Sequence, residues 1–104
     1  LDSIVQSIRY LPTETPGYDS TLSYHSLEIP KGGEYRLQLA DGSRIWLNSE
    51  SSLRYPVKFG LHRREIFLSG EIYLEVVPDT QRPFIVHTAN RTRTIRQTVF
   101  GVRL

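Results

Sequence analysis

The sequence predicts an all-β fold, either an antiparallel β-sandwich or a short β-solenoid-like two-sheet domain, with a barrel as a further alternative. Three observations favour this class. Apolar and polar side chains alternate over most of the chain, which is the period of a strand. Turn residues recur about every ten residues, as in sandwiches and barrels. Beyond the first ten residues, no stretch has the apolar spacing of an amphipathic helix.

The composition fits one small domain and excludes several classes of function. A chain of 104 residues buries roughly 60 to 70% of its unfolded surface when it folds. It contains no cysteine, which rules out disulfides, thiolate metal sites and cysteine nucleophiles. Its net charge of +2 is too small to indicate nucleic-acid binding. It also lacks methionine, so we expect a processed product or a piece of a longer protein.

The first 23 residues form a lead or an extra strand before the main domain, which we place at residues 24–104. Residues 1–10 have the apolar spacing of a short helix, but their β-branched and aromatic content favours a strand in an all-β chain. Pro12 ends this element. Residues 13–23 are rich in turn formers and predict a loop.

A strand over residues 24–29 leads to a break at residues 30–33. The adjacent Gly32 and Gly33 predict a tight bend or a bulge. A phosphate cradle is disfavoured, because no helix follows to supply its donors.

Residues 34–48 predict a β-hairpin, around which the rest of the chain is organised. Tyr35, Leu37 and Leu39 share one face of the first strand, and Ile45 and Leu47 share one face of the second. Asp41 and Gly42 predict a two-residue type I′ turn, which needs positive φ at both positions.

The next two predicted strands contain a proline and a glycine, each of which predicts an irregular feature of the sheet. Residues 53–59 alternate around Pro56, which predicts a sheet edge or a bulge. In residues 64–77 the apolar side chains occupy every second position, and Gly70 stands at one of these positions. Gly70 therefore predicts a corner between two strands or a close approach of the backbone.

The remaining residues complete the strand pattern. Residues 78–83 predict a turn, residues 84–88 a strand, Asn90 another turn, and residues 95–104 a last strand. Together these strands predict a core that comprises Leu37, Leu39, Ile45, Leu47, Leu68, Leu74, Phe84 and Val86.

The search for catalytic or metal-binding patterns finds none that is convincing. Glu71 and Glu75 are a pair of carboxylates on one strand, but four residues separate them by about 13 Å. Glycosidases use roughly 5 to 9.5 Å, so we expect both glutamates at the solvent side or rim. The three histidines lack metal-ligand spacing. We therefore expect no enzyme, metal or cofactor.

Trp46 and a basic segment are the candidates for binding. Trp46 lies opposite Ile45 and Leu47, and burial between two layers is the favoured interpretation. Exposed instead, it would stack on a sugar ring or on a partner's side chain. The alternative function is therefore a carbohydrate-binding β-module, motivated by Trp46, the tyrosines and Asn48. After Asp79 the chain carries five arginines and no acid. We expect an ordinary solvated face, or a contact surface for an acidic partner formed by Arg91, Arg93 and Arg96.

Five collinear blocks, at residues 24–35, 39–48, 52–56, 68–76 and 82–88, resemble the FecR family of anti-sigma regulators, in particular its Bacteroidetes branch. The residues that carry this resemblance are Gly32, Gly33, Asp41, Gly42, Trp46, Asn48, Gly70, Glu71, Pro83 and Phe84. Two regions depart from the family pattern. Residues 1–23 match nothing in it. The closing strand keeps Thr98 and Phe100 but has Arg96, Gln97 and Gly101 where the family has Leu, Gly and Asn.

The resemblance implies a periplasmic sensor domain of an inner-membrane regulator. Such a domain relays a signal from the signalling domain of a TonB-dependent outer-membrane transporter to an extracytoplasmic-function (ECF) sigma factor. The family binds the sigma factor through a cytoplasmic region and is anchored by a transmembrane helix, both of which lie outside this chain. No nucleic acid and no cofactor are implied.

Overall fold

The computed structural model describes residues 5–7, 19–89, 91–95 and 99–103, which form ten strands with no helix among them. The strands are β1 (Val5–Ser7), β2 (Tyr24–Glu28), β3 (Tyr35–Gln38), β4 (Arg44–Leu47), β5 (Ser52–Pro56), β6 (Arg64–Ser69), β7 (Glu71–Glu75), β8 (Phe84–His87), β9 (Thr92–Ile95) and β10 (Val99–Arg103). The strand predicted within residues 1–10 is therefore present as β1. None of the described residues belongs to a helix with the length and hydrophobicity to span a bilayer.

The strands form two open sheets, which confirms the prediction of a two-sheet all-β domain and excludes the closed barrel. A six-stranded sheet has the order β1-β2-β5-β6-β8-β9, and a four-stranded sheet has the order β10-β7-β4-β3. All neighbours are antiparallel except β6 and β8, which run parallel. This parallel pair arises because the chain leaves β6 for β7 in the other sheet and then returns to β8.

One hydrophobic core lies between the sheets. The predicted members that are buried in it are Leu39, Ile45, Leu47, Leu68, Leu74, Phe84 and Val86. Leu37 was also predicted to be in the core, but it is only half-buried and packs against the core beside Tyr35. The reason is its position, because β3 is an edge strand of the four-stranded sheet.

The connection between β3 and β4, which pair antiparallel as predicted, is not the predicted type I′ turn. The Gly42 N–H donates to the Leu39 carbonyl at 3.0 Å, and the Leu39 N–H donates to the Ser43 carbonyl at 2.7 Å. Gly42 has a φ of +92°, whereas Asp41 is not in the positive region. This pattern is a type I turn followed by a left-handed glycine. It is favoured because the Asp41 carboxylate accepts hydrogen bonds from the Ser43 N–H at 2.9 Å and the Ser43 hydroxyl at 2.8 Å.

Replacing Gly42 with valine should lower the free energy of unfolding by about 1 to 3 kcal/mol, because a β-branched residue is strained at positive φ. A Cβ there would first meet Val77 Cγ2 at 3.5 Å, which is an ordinary contact, so the cost arises from strain and not from a collision. Urea titration followed by the fluorescence of Trp46, the single tryptophan, measures it. Gly32→Val is the matched control with a similar expected cost, since Gly32 has a φ of +83° and open space around it. A change below about 0.5 kcal/mol at Gly42 would contradict the strain argument.

Pro56 does not mark a sheet edge or a bulge, contrary to the prediction. Strand β5 lies between β2 and β6. Pro56 is its last residue and pairs with Tyr24 of β2, whereas the ladder to β6 ends at Arg54. The Val57 N–H then donates to the Ser23 carbonyl at 2.8 Å. Proline has no backbone N–H to donate. At this end position, the missing donor interrupts neither the ladder to β2 nor the ladder to β6.

Gly70 is the corner between β6 and β7, as its parity predicted. Because β6 and β7 belong to different sheets, the chain crosses from one sheet to the other at this residue. Gly70 has a φ of +89°, and an added Cβ would lie only 2.7 Å from the Ser51 Cα. The two predicted roles, corner and close backbone approach, therefore coincide.

Candidate functional site

The described part of the chain contains no group of three or more His, Asp or Glu side chains arranged to hold a metal ion. The histidines lie apart from one another. The ring of His25 packs against that of Tyr55, with centroids 5.8 Å apart. His87 Nε2 lies 2.7 Å from Glu65 Oε2, and His62 is exposed.

Glu71 and Glu75 lie half-exposed on the outer face of the four-stranded sheet, as predicted, with the exposed Tyr73 between them. Asn48 Nδ2 donates to Glu71 Oε1 at 2.7 Å. Arg44 Nη2 lies 2.8 Å from Glu75 Oε1. Each carboxylate therefore has its own polar partner, and the two do not face each other across a cleft as glycosidase carboxylates do.

Motif residues predicted from the sequence gather at two junctions between the sheets, at opposite ends of β4. The first junction is centred on Arg64, whose Nη1 lies 2.6 Å from Asp41 Oδ2, with side chains 2% and 5% exposed. Asp41 belongs to the β3–β4 turn and Arg64 begins β6, so this buried ion pair ties the two sheets together. The guanidinium also lies over the Phe84 ring, with Cζ 5.2 Å from its centroid, which adds a cation–π attraction.

Arg64 also makes three hydrogen bonds to backbone carbonyls. Nη1 donates to the Val77 carbonyl at 2.7 Å, and Nε donates to the Arg82 carbonyl at 3.0 Å. The Arg64 N–H donates to the Pro83 carbonyl at 2.8 Å. Nearby, the hydrogen bond from Arg82 holds the pKa of Asp79 below its ordinary value. A buried charge is tolerated only when it is paired and hydrogen-bonded, and Arg64 meets both conditions.

The second junction joins the β4–β5 connection to the corner between β6 and β7. The Ser51 hydroxyl donates to the Glu71 carbonyl at 2.9 Å and accepts from the Glu71 N–H at 3.1 Å. The Asn48 N–H donates to the same carbonyl at 3.1 Å. Because Gly70 has no Cβ, Ser51 can approach this closely.

Gly32 and Gly33 form the predicted tight bend. The Gly33 N–H donates to the Pro30 carbonyl at 3.0 Å, and Gly32 has a φ of +83°, which is the pattern of a type II turn. The Gly32 N–H donates to Ser49 Oγ at 2.7 Å. This bend therefore contacts the connection that follows β4.

Trp46 does not lie between the two layers, contrary to the favoured prediction. Ile45 and Leu47 fill the inner face of β4, so the alternation of the strand directs Trp46 to the outer face, where it is half-buried. Its ring centroid lies 5.4 Å from that of Tyr73, with the rings inclined at 65°. Arg44 Cζ lies 5.9 Å from the Trp46 ring. The outer face therefore presents a partly exposed aromatic pair.

The predicted arginine surface is described only in part. Arg91 and Arg93 are exposed and lie at or beside β9, an edge strand of the six-stranded sheet. Arg96 lies outside the described residues. The role of these arginines in binding a partner stays a prediction.

Sequence analysis did not identify Arg64 and Ser51 as important residues. Arg64 has the same parity as Ile66 and Leu68, which are both buried. An arginine at an inward position is a signal of a buried ion pair. Ser51 gives no such signal, because its contacts arise only where the chain crosses between sheets.

Comparison with known proteins gives one family and two similar structures. The model described as "FecR protein" matches residues 25–104. Two crystal structures of a "putative anti-sigma factor" from Parabacteroides distasonis ATCC 8503 are each 28% identical to this chain, with TM-scores of 0.74 and 0.72. The similarity covers 77% and 75% of this chain but only 38% and 37% of those chains. No curated protein matches the chain.

Proposed function

Because this chain belongs to the FecR family, whose members are signalling regulators, we propose that it is the periplasmic sensor domain of a membrane-anchored anti-sigma regulator. The observation that carries the proposal is the family match over residues 25–104. The similar two-sheet structures named as anti-sigma factors support it. In the full-length protein, a cytoplasmic region would bind an ECF sigma factor, and a transmembrane helix would anchor this domain, which we place at residues 24–104.

The signal would come from the signalling domain of a TonB-dependent outer-membrane transporter. Glu71, Glu75 and Asp41 each have a structural partner, and this supports a binding role over a catalytic one for these three carboxylates. A domain of this kind would relay the signal by contact.

The edge formed by β9 is our candidate for that contact. An edge strand presents backbone N–H and C=O groups to which a strand of another protein can add. Arg91 and Arg93 lie at this edge, and Arg96 follows them in the sequence. Arginines there either steer an acidic partner or discourage self-association, and the two roles differ in their dependence on salt.

Binding of the full chain to a purified transporter signalling domain should weaken at least tenfold between about 0.05 and 0.5 M NaCl, because salt screens exposed charges. The variant Arg91→Ala/Arg93→Ala/Arg96→Ala should bind more weakly and with a smaller salt slope. Isothermal titration calorimetry across the salt series measures both quantities. The transporter encoded beside the gene is the first choice of partner.

A control with the same change in charge is Lys31→Ala/Arg36→Ala/Lys58→Ala, which removes three exposed cations that lie on neither β9 nor its neighbour β8. It should keep the affinity of the parent at each salt concentration. If the β9 variant matched the parent in affinity and slope, the edge would be protective and recognition would lie elsewhere. If the signalling domain did not bind the parent at all, the proposed relay through this domain would be wrong.

A further inference from the structure

The outer face of the four-stranded sheet carries a row of side chains that the proposed function does not use. Arg36 of β3 stands opposite Trp46 of β4, Trp46 stands opposite Tyr73 of β7, and Tyr73 stands opposite Gly101 of β10. Tyr73 is 42% exposed. We call the Trp46 and Tyr73 rings the aromatic shelf.

The shelf has a glycine on one side and a groove on the other. Towards β10, the residue directly opposite Tyr73 is a glycine, so no side chain opposes the ring at that position. Towards β3, a shallow groove of about 320 Å³ runs beside Trp46, between Arg36 and Asn48. A ligand laid across the row would therefore contact the rings and extend into this groove.

Polar groups flank the shelf along both neighbouring rows. On one side, Arg44 pairs with Glu75 at 2.8 Å. On the other, Asn48 donates to Glu71 at 2.7 Å and is exposed to solvent. These groups offer donors and acceptors at the level of the rings.

The charges of this face favour a neutral ligand. Arg36 and Arg44 alternate with Glu34, Glu71 and Glu75, so neither sign dominates among the described residues. A nucleic acid needs an excess of positive charge for its phosphates. The face thus suits a molecule with no formal charge and many groups that both donate and accept.

The size of the face favours a small ligand over a protein. Four strands about 4.8 Å apart and five residues long, at about 3.3 Å per residue, span roughly 300 Å². Each partner of a standard protein interface buries roughly 800 Å². The flat area of this face is therefore smaller than the accessible surface that each partner of a standard protein interface buries.

We infer that the aromatic shelf binds one or two rings of a neutral oligosaccharide. The C–H face of a pyranose stacks on the negative face of an aromatic ring. Its hydroxyl groups, each a donor and an acceptor, reach Asn48, Arg36 and the flanking carboxylates. This binding site is independent of the contact proposed at β9.

The test is titration of the full chain with cellohexaose, maltohexaose, xylohexaose and mannohexaose, up to about 10 mM, by calorimetry and by Trp46 fluorescence. At least one oligosaccharide should bind saturably and change the emission of Trp46. Tyr73→Ala and Trp46→Ala should each weaken that binding about tenfold or more, measured by calorimetry. Arg36→Ala should weaken it less.

Leu61→Ala is the control, because Leu61 is an apolar side chain that is 86% exposed and lies outside this face. It should leave the affinity unchanged. If Trp46→Ala failed to fold, Tyr73→Ala would decide, since Tyr73 is far from fully buried. Absence of binding to all four oligosaccharides, or full affinity in Tyr73→Ala, would overturn the inference. It would also be overturned if Tyr73→Ala weakened binding of the transporter signalling domain and left sugar binding intact, because the face would then be a protein interface.

Discussion

Replacing Arg64 with alanine should destabilise the domain by about 3 to 5 kcal/mol, because it leaves a buried charge without its partner. Asp41 would keep a side chain that is 5% exposed and would lose the guanidinium 2.6 Å away. The Val77 and Arg82 carbonyls would lose donors at 2.7 and 3.0 Å. Urea titration followed by Trp46 fluorescence should show a lower midpoint with an unchanged slope.

Arg63→Ala is the matched control for this prediction. Arg63 is the adjacent residue and the same side chain, but it is 63% exposed and lies 3.5 Å from Glu65, so its loss should change stability by less than about 0.5 kcal/mol. The double variant Asp41→Ala/Arg64→Ala should cost clearly less than the sum of the two single changes. A loss below about 1 kcal/mol for Arg64→Ala would show that the pair does not hold the sheets together.

Replacing Gly70 with alanine should cost roughly 2 to 6 kcal/mol, since strain at positive φ and overpacking each contribute about 1 to 3 kcal/mol. The added Cβ would lie 2.7 Å from both Ser51 Cα and Ser51 Oγ. The Ser51 backbone cannot move aside without breaking the hydrogen bonds between the Ser51 hydroxyl and Glu71. The same urea titration, together with the yield of folded protein, measures the effect.

Gly42→Ala separates strain from collision. Gly42 has a φ of +92°, close to the +89° of Gly70, but its added Cβ would meet only Val77 Cγ2 at 3.5 Å. It should therefore cost about 1 kcal/mol, from strain alone. Equal costs at Gly42 and Gly70 would mean that the contact with Ser51 contributes nothing.

The core and the corner at Gly70 were predictable because both follow from alternation along single strands. Ile45, Leu47, Phe84 and Val86 are buried wherever their strands lie in a sheet, since the inward parity depends only on local sequence. Gly70 shares that parity, so the sequence alone indicates a corner at this residue.

The features that escaped prediction depend on which strands become neighbours. Leu37 is half-buried because β3 is an edge strand, and Pro56 is tolerated because the β5–β6 ladder ends before it. Burial of Trp46 between two layers is the favoured prediction from the sequence, although its parity alone places it opposite Ile45. The Asp41–Arg64 pair joins residues 23 positions apart in the chain, and a pattern within one strand does not reveal such a pairing.

The strands of each sheet come from separate parts of the chain, and this bears on cooperativity. The chain changes sheet between β2 and β3, between β4 and β5, on both sides of β7, and between β9 and β10. Neither sheet is a continuous segment, so neither can detach as a local unfolding unit while the other persists. The parallel pairing of β6 with β8 needs a crossover connection, and β7 lies within that connection. The two sheets should therefore melt in a single all-or-none transition.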